Sequence, residues 1–166
     1  MSECKGFTPV VNSHSKLLIL GSMPSIVSLS HKQYYAHPQN RFWRLMAKLL
    51  GYEITPVDYG ERLKMILDRH IALWDSIAFC EREGSLDSAI QKETPNDFNE
   101  FFQRYRNINM LCFNGGKAYQ CFKKYNKQIL DSNKYIIYLL PSTSPANARF
   151  KMEMLEEKWQ IILKQS

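Results

Sequence analysis

The chain has 166 residues, of which 45% are hydrophobic and 23% charged, and its net charge is +6. That length suits one compact α/β domain over residues 1–166 and is too short for two ordinary ones. The composition is that of a globular protein, which excludes disorder as the main state, and no apolar run approaches the ~20 residues of a membrane span. Residues 1–11 carry neither the apolar core of a signal peptide nor the Arg-rich pattern of a transit peptide, so a cytoplasmic protein is expected.

The basic charge is unevenly spread. Between Cys4 and Tyr52 there is no Asp or Glu, against Lys5, Lys16, Lys32, Arg41, Arg44 and Lys48. From Phe101 to Met152 the only acid is Asp131, whereas Glu53 to Glu100 is net acidic. A polyanion would meet the first and third segments; charge alone leaves open a solvated basic surface with no partner. The cysteines Cys4, Cys80, Cys112 and Cys121 form no C-x-x-C pair and sit among apolar neighbours. Buried, reduced thiols are expected rather than a zinc or iron–sulfur site, and no metal or other cofactor is expected.

Lys16 to Gly21 is a short apolar run ending at Gly, the pattern of a buried strand. After an irregular stretch, Phe42, Leu45, Met46 and Leu49 recur at helical spacing, which predicts a helix over 40–50 with Gly51 as its stop. A second helix is predicted over 58–69, with Leu63, Ile66 and Leu67 on its inner side, and a second strand over 71–77. Pro95 precedes a helix at 96–105, and a third strand is read at 109–113. Gly115-Gly116 opens a helix to about residue 129, and a fourth strand covers 135–140. Met152, Leu155, Trp159 and Ile162 form one stripe of a final helix. Strands alternating with helices require right-handed crossovers, hence a three-layer α/β/α fold around a central four-stranded parallel sheet. Ligands of such sheets bind beyond the carboxyl ends of the strands, which directs attention to 22–39, 78–88, 114–117 and 141–149.

The first of these segments has 18 residues and no periodicity, longer than a compact domain keeps without a use. Its adjacent Tyr34 and Tyr35, its histidines His31 and His37, and the flanking Arg41 and Arg44 would suit a pocket that stacks a flat ring beside a phosphate. A surface loop folded over the sheet edge by its own aromatic side chains is the competing reading.

Gly21-Ser-Met-Pro-Ser25, Gln33-Tyr-Tyr-Ala-His-Pro-Gln-Asn-Arg-Phe-Trp43 and Leu140-Pro-Ser-Thr-Ser-Pro-Ala-Asn-Ala148 together resemble the uracil-DNA glycosylase superfamily, and within it the hypoxanthine-DNA (DNA-deoxyinosine) glycosylases. The resemblance spans Lys16 to about Phe150. The string from Ala36 to Trp43 also looks like that of the mismatch-specific uracil/thymine-DNA glycosylases, but those carry a catalytic Asn where this chain has Met23. Other uracil glycosylases carry an Asp in the first motif and a His-Pro-Ser loop near the end; here Leu140-Pro141-Ser142 lacks that histidine. The resemblance implies a uracil-DNA glycosylase-like fold and a monomer acting on DNA. Its activity would be hydrolysis of the N-glycosidic bond of a flipped, deaminated base, hypoxanthine first, leaving an abasic site.

The resemblance also implies roles for residues. Asn40 is the catalytic candidate, holding water or polarising the base, although its place before a helix suits an N-cap as well. Tyr35 would stack on the base, or cap the core. His37 would donate to a base or phosphate, or stabilise the turn before Pro38. Backbone around Ser22, Met23 and Pro24 would cradle the base, with Ser85 and Asn114 as further polar contacts. The last loop would press on DNA through Ser142, Thr143, Ser144, Pro145, Ala146, Asn147 and Arg149, with Lys32 and Arg41 as further phosphate contacts. Asp87 reads as a structural acid.

Two rivals stand beside this reading. A dinucleotide-binding enzyme would show G-x-G-x-x-G after the first strand, and none is present. A non-catalytic DNA-binding module would need the basic loops but no Asn40 in a pocket.

Overall fold

The structure is a computed structural model that describes residues 2–164. In chain order its elements are β1 (Ser2–Lys5), β2 (Leu17–Gly21), α1 (Ile26–His31), α2 (Phe42–Leu49), α3 (Tyr59–Leu67), β3 (Ile71–Asp75), β4 (Ile77–Arg82), β5 (Gln91–Pro95), α4 (Phe98–Arg104), β6 (Met110–Asn114), α5 (Gly116–Leu130), β7 (Ile136–Leu140) and α6 (Met152–Trp159). No helix among the described residues is long and apolar enough to cross a membrane.

The expected four-stranded parallel sheet is present, in the order β3-β2-β6-β7. Side chains alternate between its faces, and both faces are covered. Leu17, Ile19, Ile71, Leu73, Met110 and Cys112 pack with Phe42, Trp43 and Met46 of α2, Met65 and Ile66 of α3, and Leu155 and Trp159 of α6. Leu18, Leu20, Ala72, Trp74, Leu111 and Phe113 pack on the other face against Phe98, Phe101 and Phe102 of α4 and Ala118, Phe122 and Ile129 of α5. The continuous apolar runs of β2 and β6 follow from this double covering. All four cysteines are free and buried.

The region after the second strand differs from the sequence expectation. The run predicted as one strand over 71–77 belongs to two sheets, because the chain changes direction at Ser76. That residue is fully buried; its N–H donates to the Gly21 carbonyl and its Oγ to the Ala118 carbonyl. From Ile77 the chain continues as the central strand of a separate antiparallel sheet, β1-β4-β5. The segment expected to be a strand-end loop from 78 to 88 is therefore half strand, and only 83–90 forms the connection. The long first segment likewise contains α1. Ser25 caps it, its Oγ accepting from the Ser28 N–H at 3.1 Å, and Lys32 closes it in the left-handed region at φ 55°.

Candidate active site

The last residue of each parallel strand (Gly21, Asp75, Asn114 and Leu140) lines one cavity of about 970 Å³. Its walls come from four segments: the turn after β2, the Tyr34–Asn40 stretch, the loop after β4, and the loop after β7. Its size lies within the ~300–1,000 Å³ of small-molecule sites, and it opens at the strand ends where such sheets bind ligands.

Asn40 is fixed by a short polar chain. Its Oδ1 accepts from the Phe42 N–H at 2.9 Å, the first residue of α2, and from the Thr143 hydroxyl at 2.9 Å. Thr143 Oγ1 accepts in turn from Asn114 Nδ2 at 3.1 Å, and the Thr143 N–H donates to Asn114 Oδ1 at 3.0 Å. Because a backbone N–H and a hydroxyl both point at Oδ1, the amide has only one orientation. Both lone-pair directions of the oxygen are occupied, so Nδ2, which makes no hydrogen bond among the described residues, is the group left for a ligand. Asn40 thus does the cap-like work expected of its position and still presents a donor at the cavity wall.

Tyr35 adopts φ 55° and stacks on Phe42 with ring centroids 4.1 Å apart and planes 24° from parallel. Its hydroxyl is buried without a hydrogen-bond partner, and burial, then the Asp75 charge, push its pKa well above the usual phenol value. Gly21 makes this packing possible. A Cβ there would lie 2.5 Å from Asp75 Oδ1 and 3.1 Å from the Tyr35 hydroxyl. Gly115, at φ 96°, similarly lets Ser142 approach, since a Cβ would meet Ser142 Cβ at 3.2 Å. Met23 is buried against Cys4, Ile77 and Cys80, with its residue at the cavity wall. Pro24 lines the cavity, and its carbonyl accepts from the buried Arg82 guanidinium.

Several expected ligand contacts have other work. The Ser22 hydroxyl donates to Asp87 Oδ1 at 2.6 Å, which joins the first turn to the loop after β4 and gives Asp87 a structural role. Ser85 Oγ accepts from the Ile26 N–H at 2.9 Å, which ties it to the first turn of α1, and the residue lines the cavity. His37 Nδ1 accepts from the Gln39 N–H at 3.1 Å and its carbonyl from the Asn40 N–H, so the turn-stabilising alternative describes that nitrogen.

The last loop also departs from the expectation. Thr143 is 0% exposed and cannot reach a phosphate; it couples Asn40 to Asn114 instead. Asn147 donates through Nδ2 to the Ser142 carbonyl at 3.0 Å, a bond internal to the loop. Arg41 donates to the carbonyls of Phe150, of Ser144 (3.0 Å) and of Asn147 (3.1 Å), so its guanidinium clamps the loop rather than standing free for DNA. Ser142 Oγ accepts from the Ser144 N–H and Ser144 Oγ from the Ala146 N–H, two local turns that leave Ala146 exposed beside Pro145. Arg149 is exposed just beyond the clamp, and Lys32 is exposed at the end of α1; neither lines the cavity.

Sequence reasoning passed over Asp75. It is 4% exposed, lines the cavity, and keeps Oδ2 without a hydrogen-bond partner. Burial first, then the nearby Asp87 charge, raise its pKa to about 7, while Arg82 opposes the rise. An acid closing an otherwise apolar strand was the available signal. No group of His, Cys, Asp and Glu among the described residues could hold a metal ion.

Residues 8–164 match the family model of the uracil DNA glycosylase superfamily. The chain belongs to that superfamily. A hypoxanthine DNA glycosylase of Methanosarcina acetivorans is 36% identical over 160 residues, covering 96% of this chain and 98% of the relative. One from Methanosarcina barkeri is 36% identical over 145 residues, covering 87% and 89%. Among solved structures, the solution NMR structure of a Methanosarcina acetivorans protein with a provisional uracil DNA glycosylase label superposes with a TM-score of 0.80. It is 34% identical, with 98% of this chain and 99% of that one covered. The superfamily fold and the cavity at its strand ends therefore coincide in this chain.

Proposed function

We propose that this protein is a monofunctional hypoxanthine-DNA glycosylase, one domain acting as a cytoplasmic monomer on deoxyinosine in DNA. The observation that carries the reading is the Asn40 amide, held by Phe42 and Thr143 so that Nδ2 is left at the cavity wall. Two relatives described as hypoxanthine DNA glycosylases, aligned over most of the chain, support the choice of base.

The target nucleotide must leave the duplex stack, at a cost of a few kcal/mol that is lower for a poorly paired deaminated base. The C1′–N9 bond then breaks, its electron pair moving onto the base while positive charge grows on the sugar. Water adds to C1′, and its proton ends on the released hypoxanthine, which leaves an abasic site. Asn40 serves this step as a donor to the departing base, because its oxygen is already doubly occupied. The water is therefore held elsewhere in the cavity, and of the two roles expected for Asn40 polarisation of the base is the one retained. Tyr35, braced on Phe42, supplies the aromatic wall, and Asn114 braces Thr143 from behind. The clamped loop after β7 meets the DNA backbone through its exposed tip and Arg149, with Lys32 as a second cation.

A labelled duplex with one deoxyinosine, incubated with the protein and treated with alkali, tests this reading. Strand cleavage at the inosine together with free hypoxanthine in the supernatant is expected. Binding without cleavage would replace the reading with a non-catalytic DNA-binding module.

A further inference from the structure

The most buried acid in the cavity is Asp75. Asp75 ends β3 beside the Cα of Gly21, and its main-chain carbonyl is pinned by Asn96 Nδ2 at 2.7 Å. Its carboxyl is nine-tenths buried: Oδ2 and the adjacent Tyr35 hydroxyl are enclosed without a hydrogen-bond partner, and Oδ1 is the oxygen left for the cavity that Asp75 lines. The titratable and charged groups around it are Tyr34 and Tyr35 from the segment after α1, Asp87 from the loop after β4, and Arg82 from β4. His37 and Lys158 stand elsewhere on the cavity wall. A buried, unpaired polar atom costs ~1–3 kcal/mol and more when it carries charge, so an enclosed Oδ2 favours the neutral carboxyl and leaves Oδ1 to meet a ligand.

We propose that Asp75 is a second catalytic residue, which contacts the flipped base as a neutral carboxyl and donates its O–H to the base as the glycosidic bond breaks. This rests on the glycosylase reading. A neutral carboxyl protonated on Oδ1 presents an O–H donor to the cavity, the complement of the C6=O of hypoxanthine. Charge moving onto the departing base strengthens the donated bond in the transition state. An ionised carboxylate in the same place would repel that charge and offer the C6 oxygen nothing. The proton stays with Asp75 over the cycle, since water supplies both the hydroxyl at C1′ and the proton gained by the base. The position of the carboxyl's pKa, about 7, means that the active form is the one present at and below neutrality.

The test is single-turnover excision from a deoxyinosine duplex at saturating enzyme, followed from about pH 6 to about pH 9. Wild-type rates should be level at the acid end and fall by up to ~10-fold per unit once the carboxyl ionises. Asp75→Asn keeps a donor and an acceptor but cannot ionise. It should be slower than wild type near pH 6, show no alkaline fall, and exceed wild type by ~10-fold near pH 9. Asp75→Ala should be slow throughout, with circular dichroism confirming that it is folded. A wild-type profile level across the range would overturn the proposal. So would an Asp75→Asn profile with the same alkaline fall, which would assign the titration to another group. Wild-type protein that releases no hypoxanthine at any pH would overturn the glycosylase reading itself, and this inference with it.

Discussion

Replacing Asn40 with aspartate separates its two jobs. The substitution keeps an oxygen where the Phe42 N–H and the Thr143 hydroxyl donate, both at 2.9 Å. Asp and Asn cap helix starts about equally well, and the added negative charge is favourable at the start of α2. Folding stability should therefore change by less than ~0.5 kcal/mol. What disappears is Nδ2, the one donor the amide presents to the cavity, and a negative charge replaces it beside a base that is itself becoming negative. Loss of one preorganised donor costs ~2.7–4 kcal/mol in the transition state, a fall of ~100- to 1,000-fold in single-turnover rate. Asn40→Ala should lose a similar factor and also ~1 kcal/mol of stability, because α2 and Thr143 lose their acceptor. Excision rates from a deoxyinosine duplex, read beside urea unfolding midpoints, check both halves. An Asn40→Asp enzyme that cleaved within a few-fold of wild type would refute the donor assignment, because a carboxylate there can only orient water.

Other expectations follow from the same geometry. Thr143→Val removes a hydroxyl that is buried between Asn40 and Asn114, and should cost ~1–3 kcal/mol by denaturant unfolding and lower the excision rate by ~10-fold. Gly21→Ala places a Cβ 2.5 Å from Asp75 Oδ1 and should reduce stability by ~1–3 kcal/mol while disabling excision. Asp75 titrates near 3.8 when unfolded and about 7 when folded, so the native state binds more protons between those values. Stability should accordingly decline as pH rises from about 4 to about 7, and Asp75→Asn should lose this slope in unfolding free energy against pH. Arg149→Ala should weaken binding to all sequences and flatten the log–log salt slope by up to ~0.9, whereas Lys164→Ala should change neither. Equal effects at the two positions would mean that general positive charge, not the loop face, attracts the DNA.

The parallel sheet was legible because β2 and β6 are buried on both faces and read as unbroken apolar runs. The antiparallel sheet was not. β5, Gln91–Pro95, is a short, mostly exposed edge strand with a charged sequence, and β1 is only Ser2–Lys5. The chain changes sheets at Ser76 through hydrogen bonds to Gly21 and Ala118, contacts distant in sequence that leave no local pattern. For the same reason the sequence around Asp75 reads as a continuous strand, whereas the fold makes Asp75 a strand end at the cavity. The motif segments line one cavity, but the work of their individual polar residues is not readable from the sequence. Thr143, Asn147 and Arg41 look like phosphate contacts in a Ser/Thr/Asn-rich basic stretch, and the fold turns them inward to satisfy Asn40 and the loop's own carbonyls. A buried clamp and an exposed contact use the same residue types, and only the folded loop distinguishes them.

On the proposed reading, this cavity accepts a deaminated purine and the protein releases it from DNA. Its most direct test is single-turnover excision of hypoxanthine, uracil, xanthine and ethenocytosine, each placed opposite every normal base in the same duplex. Hypoxanthine should be released faster than uracil in every pairing context, since the motif that resembles that of the mismatch-specific enzymes has Met23 in place of the Asn the resemblance assigns to catalysis there. A consistent preference for uracil would contradict it and move the chain to the uracil/thymine branch of the superfamily.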